Sequence, residues 1–197
     1  MARAETSRQR LVDAGAEIFG RQGFHGTGVK QIVDAARAPF ASLYHFFPGG
    51  KEELGAEAIR RSGAMYAALV MSQIPTDTDA VDGTMVMFAL AAENVRASGY
   101  ENACPIATVA LEMSTTSEPV RLACADVFED WFGGMIAWFV SDGVPDHLAR
   151  PLAIQWLSLL EGAFIFCRAL RSTEPLDVAG AAAAALVRAA KGQHGDG

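Results

Sequence analysis

Cysteine is too scarce in this chain to build a covalent framework. Its three residues, Cys104, Cys124 and Cys167, are odd in number and far apart, so they read as buried thiols of a reducing compartment. No CxxC or Cys/His spacing suggests zinc, and no Gly-rich phosphate loop or nucleophile–base pair stands out. A helical enzyme is therefore the weakest functional reading, and no cofactor is implied. No charged-then-apolar leader occupies Met1 to Gly20, and no uninterrupted apolar run approaches roughly eighteen residues. One of the two longest, Val178 to Val187, is mostly alanine. A cytoplasmic protein with no membrane partner is expected. Runs of β-branched residues are few too, and an Ala-rich chain of 51% apolar residues favours helices over strands.

Positive charge is also in short supply. Sixteen Lys and Arg stand against twenty-three Asp and Glu, a net charge of −7, which argues against a generally sticky nucleic-acid coat. The distribution says more. Residues 1–61 hold nine Lys/Arg against seven Asp/Glu, while the remainder holds seven against sixteen. A basic head on an acidic body fits a protein that touches DNA at one end. The 197 residues suffice for a DNA-binding module and a larger helical core.

The most informative stretch is Thr27 to Leu54, TGVKQIVDAARAPFASLYHFFPGGKEEL. Val29, Ile32 and Val33 give a first short helix one apolar face, with Thr27 as its expected cap. Leu43, Phe46 and Phe47 do the same for a second, opened by Pro39, whose fixed φ helps there. Ala35 to Ala38 leaves room for only a tight turn, the connection of a helix-turn-helix. The outer face of the second helix carries Phe40, Ser42, Tyr44 and His45, groups able to hydrogen-bond phosphates and to meet sugars or base edges.

Helical periodicity organises the rest. A first helix covers Arg8 to Phe19. Lys51 to Ser72 forms a longer one, with Leu54, Ala58, Met65 and Leu69 on its inner side. Further helices are expected at Ala80 to Ala97, Pro105 to Met113, Pro119 to Val140, His147 to Leu170 (irregular at Pro151) and Leu176 to Lys191, before a frayed tail at Gly195 to Gly197. The segment from Pro119 is apolar all round, as a buried central helix would be. The fold class is all-α with about nine helices: residues 1–50 as the DNA-binding domain, and 51–197 as a ligand-binding and dimerisation domain.

The order of these features resembles the TetR family of transcriptional repressors. The resemblance is carried by Gly23-Phe24, Thr27, Ile32 to Ala36, Leu43-Tyr44-His45-Phe46-Phe47 and Lys51-Glu52-Glu53-Leu54. Cys104 to Glu112, Leu159 to Ala163 and the Pro48-Gly49-Gly50-Lys51 insertion are similar to the branch containing the lincomycin-resistance repressor. It implies phosphate contacts from Thr27, Tyr44, His45 and Lys51. The chain departs from the family in two places. Arg37 stands at the turn position that is usually glycine, and Phe40 where a basic residue is frequent. Arg37 can supply the displaced charge, and Phe40 can meet a thymine methyl; alternatively, the two weaken operator recognition.

The resemblance also implies a ligand cavity lined by Met65, Met85, Phe88, Cys104, Trp131, Met135, Trp138, Trp156 and Phe164, with Glu112 as an orienting polar group. Met and Trp suit an adaptable apolar pocket, although each residue taken alone is equally a core residue. A four-helix homodimer interface is implied for the last two helices. There Ala163, Phe164, Cys167 and Leu170, with the run Gly180 to Ala185, offer small residues for close approach, or else pack internally. The leading reading is a repressor that binds double-stranded operator DNA as a homodimer and is released by a small apolar or aromatic effector. Its rival is a helical small-molecule-binding protein with weak or lost DNA binding.

Overall fold

The computed structural model describes residues 6–75, 77–101 and 104–192, and the expected tail at Gly195 to Gly197 lies outside them. Among the described residues there are nine helices and no strand. They are α1 Ser7–Gln22, α2 Val29–Ala35, α3 Phe40–Phe46, α4 Gly50–Ser72, α5 Ala80–Ala97, α6 Pro105–Met113, α7 Glu118–Ser141, α8 Asp146–Leu170 and α9 Glu174–Gly192. Periodicity located them because each buries one stripe; α7 does so too, with Leu122 and Val140 exposed, and is not the buried central helix that its apolar composition led one to expect. The ends moved by one to three residues where caps decide them, as when the Thr6 hydroxyl accepts the Gln9 N–H and starts α1 at Ser7. Pro151 lies inside α8 without breaking it.

The chain divides into two compact units, residues 1–66 with 104–128, and residues 67–103 with 129–197. The division differs from the expected break at residue 50. α6 and the start of α7 pack with the N-terminal helices, and α4 and α7 each run on from one unit into the other.

In the first unit α1 buries Leu11, Val12, Ala14, Gly15 and Phe19. Gly15 permits a close approach to α4, since a Cβ there would lie 2.7 Å from Leu54. Gly63 does the same between α4 and α7, where a Cβ would sit 2.4 Å from Val127. Ion pairs Arg8–Glu57 and Arg61–Asp13 flank the α1–α4 contact. Met65 and Leu69, expected on the inner face of α4 by helical phase, are each 59% exposed. Phase fixes the direction of a side chain; it does not supply a partner to cover it.

In the second unit α9 packs along both α5 and α8. Gly180 makes this possible, because a Cβ there would lie 2.8 Å from Phe88. Trp156 is fully buried, edge-on to Phe88 with ring centroids 5.0 Å apart. Its indole N–H donates to the Thr84 hydroxyl at 3.0 Å, and that hydroxyl donates to the Ala80 carbonyl at 2.7 Å. A buried Trp and a buried Thr thereby satisfy each other. Asp79 caps α5 by accepting the N–H groups of Val81 and Asp82, which with nearby Lys191 holds its carboxyl below the ordinary range. Asp142 accepts both the Ala80 N–H and the Lys191 ammonium, tying the end of α9 to the start of α5.

By length and composition alone α8 is apolar enough to cross a membrane, although polar residues interrupt its apolar run. Ala149, Leu152, Ala153, Trp156, Leu157, Ala163, Phe164 and Cys167 form one buried stripe along it, the pattern of a core helix.

Candidate nucleic-acid interface

The helix-turn-helix is built from a small core in which Ile32, Val33, Ala36, Leu43 and Phe47 are buried. Four residues, Ala36 to Pro39, join α2 to α3. Arg37 adopts a left-handed conformation, φ 48°, at the end of α2. The N–H of Ala38 returns to the Val33 carbonyl at 3.0 Å, the bonding of a Schellman close. The turn therefore keeps the form that glycine would give it, with an arginine in a conformation costing about 1–2 kcal/mol for a residue with a Cβ. Arg37→Gly is expected to raise thermal stability by the equivalent of about 1 kcal/mol. Calorimetry on the two proteins checks this, and an unchanged or lower melting temperature would show that Arg37 makes compensating contacts. From the other side, the Arg10 guanidinium donates to the Ala36 carbonyl at 3.0 Å and braces the same helix end.

α3 presents Phe40 and Tyr44 outward, about half exposed, with ring centroids 5.8 Å apart. His45 is exposed beside them, and Ser42 is half-buried. Tyr44 also lies over the backbone of Gly50, where φ is +69° and a Cβ would meet its ring at 3.4 Å. Pro48, Gly49 and Gly50 thus turn the chain sharply after α3. The Glu53 carboxylate caps the start of α4 by accepting the Gly49 N–H at 2.7 Å.

Two expected phosphate contacts have other engagements. Thr27 is buried and does not cap α2; the N-cap is Gly28, whose N–H is accepted by the Gln31 side chain at 2.7 Å. The Thr27 hydroxyl donates to the Gly23 carbonyl at 2.7 Å and its N–H to the Phe24 carbonyl at 3.2 Å. Both donors that a phosphate would need are taken, because the tight 23–27 turn folds back on itself. Lys51 donates to the Phe24 carbonyl at 2.6 Å with its ammonium 4.3 Å from the centre of the Phe24 ring. Burial lowers its pKa, partly offset by Glu112. An ammonium has three donors, so two remain for an outside acceptor.

The expected ligand-cavity residues do not share one environment. Met65, Cys104 and Glu112 fall in the first unit and the others in the second. Phe88, Trp156 and Phe164 are buried core residues; Met85, at 44%, is exposed. Met135 is buried on α7, and Trp131 and Trp138 are half-buried there, with Trp138 against Gly83 of α5. Cys104 is buried and caps α6 through its sulfur. Glu112 corrects an expectation: its carboxylate accepts the N–H groups of Phe24 and His25 at 2.7 and 3.1 Å instead of facing an apolar pocket. The sequence showed a lone acid ending the apolar run of α6, but its partners lie 87 and 88 positions away. Burial pushes the Cys124 thiol up to about 11, which leaves it an inert core residue.

The faces of α8 and α9 assigned to dimerisation also divide. Ala163, Phe164, Cys167, Gly180, Ala183 and Ala184 point inward. The outward stripe of α8 is Ile154, Ser158, Ile165, Phe166 and Ala169, and that of α9 is Val178, Ala181, Ala182, Ala185 and Leu186. Half-buried Gly162 lies along the first stripe, with open space where its Cβ would be. Small residues lined both sides of these helices, so spacing alone did not tell the inner face from the outer.

A short helix pair joined by a four-residue turn, with an exposed aromatic face on the second helix, in a chain whose described residues are helical without a strand, defines a helix-turn-helix regulator. Comparison with known proteins agrees. Residues 11–58 match the model of the tetR family of bacterial regulatory proteins, and residues 80–182 match the C-terminal domain of LmrA/YxaF-like transcriptional regulators. The chain belongs to the TetR family of transcriptional regulators. It is 30% identical over 170 residues to the HTH-type transcriptional regulator YxaF of Bacillus subtilis, covering 86% of this chain and 89% of that one. It is 26% identical to LmrA of the same organism, over 86% and 90% of the two chains. Among solved structures, regulatory protein TetR from Rhodobacter sphaeroides superposes with a TM-score of 0.76 at 24% identity, over 91% of this chain and 98% of that one.

Proposed function

We propose that this regulator is a repressor which binds a palindromic operator as a homodimer and lets go of it when a small apolar effector occupies its body. The observation that carries the reading is the outward face of α3, where Phe40, Tyr44 and His45 stand exposed on a helix whose opposite side is locked by Leu43 and Phe47. Phe40 and Tyr44 suit apolar and hydrogen-bonding contacts in a major groove; Arg37, His45 and the free donors of Lys51 suit phosphates. Two copies must place their α3 helices about 34 Å apart to enter successive grooves. The outward apolar stripes of α8 and α9 support the homodimer, being too continuous for a surface meant to face water.

For the effector, the support is the LmrA/YxaF-like C-terminal domain together with Trp131, Met135 and Trp138, a polarisable aromatic set on one helix. α4 carries Lys51 in its first turn and runs on into the second unit, so an effector that tilts it changes the spacing of the two reading helices. The shift is limited to the effector's differential affinity for the two states, typically about 1–3 kcal/mol, and operator must weaken effector binding by the same factor.

The test begins with a duplex selected by the wild-type protein from a random-sequence library. Its affinity should fall steeply as salt rises, because phosphate contacts release counterions. Lys51→Ala should weaken all sequences alike and reduce the salt slope by about one, while Phe40→Ala should change base preference. Failure to enrich any sequence, or an affinity indifferent to salt, would overturn the reading in favour of a small-molecule-binding protein without an operator.

A further inference from the structure

We propose that Glu112 is a positioning residue for the DNA-reading unit, fixing the loop between α1 and α2 from helix α6 by hydrogen-bond geometry. The inference rests on the DNA-binding reading above and adds to it a residue far from α3 in sequence. One oxygen of the Glu112 carboxylate accepts two backbone donors, the N–H of Phe24 at 2.7 Å and of His25 at 3.1 Å. Both amides lie beyond the end of α1 and before α2, where neither helix supplies an acceptor. The backbone at Gly23 comes so close to the carboxylate that a Cβ would lie 2.2 Å from its other oxygen, and φ there is +75°. Only glycine allows the carboxylate to seat against the chain at that point.

The same segment is also held from α4. The Phe24 carbonyl accepts from Lys51 on α4, whose ammonium also covers the Phe24 ring. The 23–27 turn is therefore fixed at its N–H groups by α6 and at a carbonyl by α4. Thr27 closes the turn onto Gly23 at 2.7 Å and leads directly into α2. A second bond near the start of α7 runs parallel, with the Ser117 hydroxyl donating to Glu52 of α4 at 2.6 Å. Glu112 itself is only half-buried and stands outside the apolar core of Leu11, Phe19, Phe24, Ile32, Val33 and Leu43, so the helices are expected to stay folded when it is changed. What is lost is the placement of the loop from which α2 and α3 depart, and that loss falls on operator affinity.

Two substitutions separate geometry from charge. Glu112→Gln removes the charge but keeps an oxygen at full reach; Glu112→Asp keeps the charge but is one methylene too short for both amides. Affinity is measured by fluorescence anisotropy at fixed salt, using the duplex that wild-type protein selects from a random library, with melting temperature and sedimentation recorded for each protein. The geometric role predicts that Gln binds within about threefold of wild type and Asp weakens binding by roughly tenfold or more, the scale of leaving a backbone donor unsatisfied. Both variants should keep the wild-type oligomeric state. Amide exchange at Phe24 and His25 should accelerate in Asp and remain slow in Gln, a readout that holds even if affinity is compromised by poor folding. Asp binding as well as wild type, Gln binding as poorly as Asp, or equal exchange at the two amides in all three proteins would overturn the proposal. If wild-type protein selects no duplex, it is the operator reading that fails, and the proposal falls with it.

Discussion

Gly162→Arg and Ile165→Glu are each expected to convert the protein to a folded monomer and to lower operator affinity by about 10²- to 10⁴-fold. Ile165 is 59% exposed in the chain, and Gly162 has nothing near the position of a Cβ, so neither change disturbs the core of its own subunit. Each instead puts a charge on the outward stripe of α8, where a partner helix would have to bury it without compensation. The effect on DNA is indirect and large. A dimer presents its second reading helix at high effective concentration once the first is bound, and a monomer forfeits that gain entirely. Sedimentation and the same anisotropy titration read the two effects together. Ala163→Glu is the instructive contrast: that residue is buried within the subunit, so a charge there reports on folding and says nothing of dimerisation. A dimeric Ile165→Glu protein with normal affinity would remove the α8 stripe from the interface.

Trp156→Ala should destabilise the protein by about 3–5 kcal/mol, much of the stability of a typical domain. The side chain is 1% exposed, lies edge-on to Phe88, and holds the Thr84 hydroxyl. Truncation leaves a cavity beside Phe88 and an unfilled acceptor on Thr84, whose own proton stays on the Ala80 carbonyl. Trp156→Phe fills most of the space and loses one hydrogen bond, so it should cost about 1–3 kcal/mol. Chemical denaturation of the two variants separates the terms. The result bears on function, since Trp156 was an expected cavity residue. A Trp156→Ala protein with wild-type stability would mean that the indole faces a space meant for a ligand and not a packed core.

The number of helices, their approximate ends, the helix-turn-helix and the exposed face of α3 were all legible in the sequence. They depend on periodicity, on capping residues and on breakers such as Pro48-Gly49-Gly50, which act over a few residues. The family resemblance alone singled out Arg37, at a turn position that is usually glycine, and the structure shows that residue left-handed in a Schellman close. Tertiary packing decided the rest. Met65 and Leu54 share a helical phase, yet one is exposed and the other buried, because phase gives a direction and only a neighbour gives cover. α8 and α9 carry small apolar residues on two faces, and the burial of Ala163 and Cys167 on the one and of Gly180 and Ala183 on the other shows which faces are internal. Thr27 was assigned to a cap by a local rule, and Glu112 to a pocket through the family resemblance. Their partners, Gly23 for the one and the Phe24 and His25 amides for the other, follow from a tight turn and from a contact between residues 87 and 88 positions apart. A hydrogen bond across that distance leaves no periodic trace in a sequence, and only the folded chain brings its donor and acceptor together.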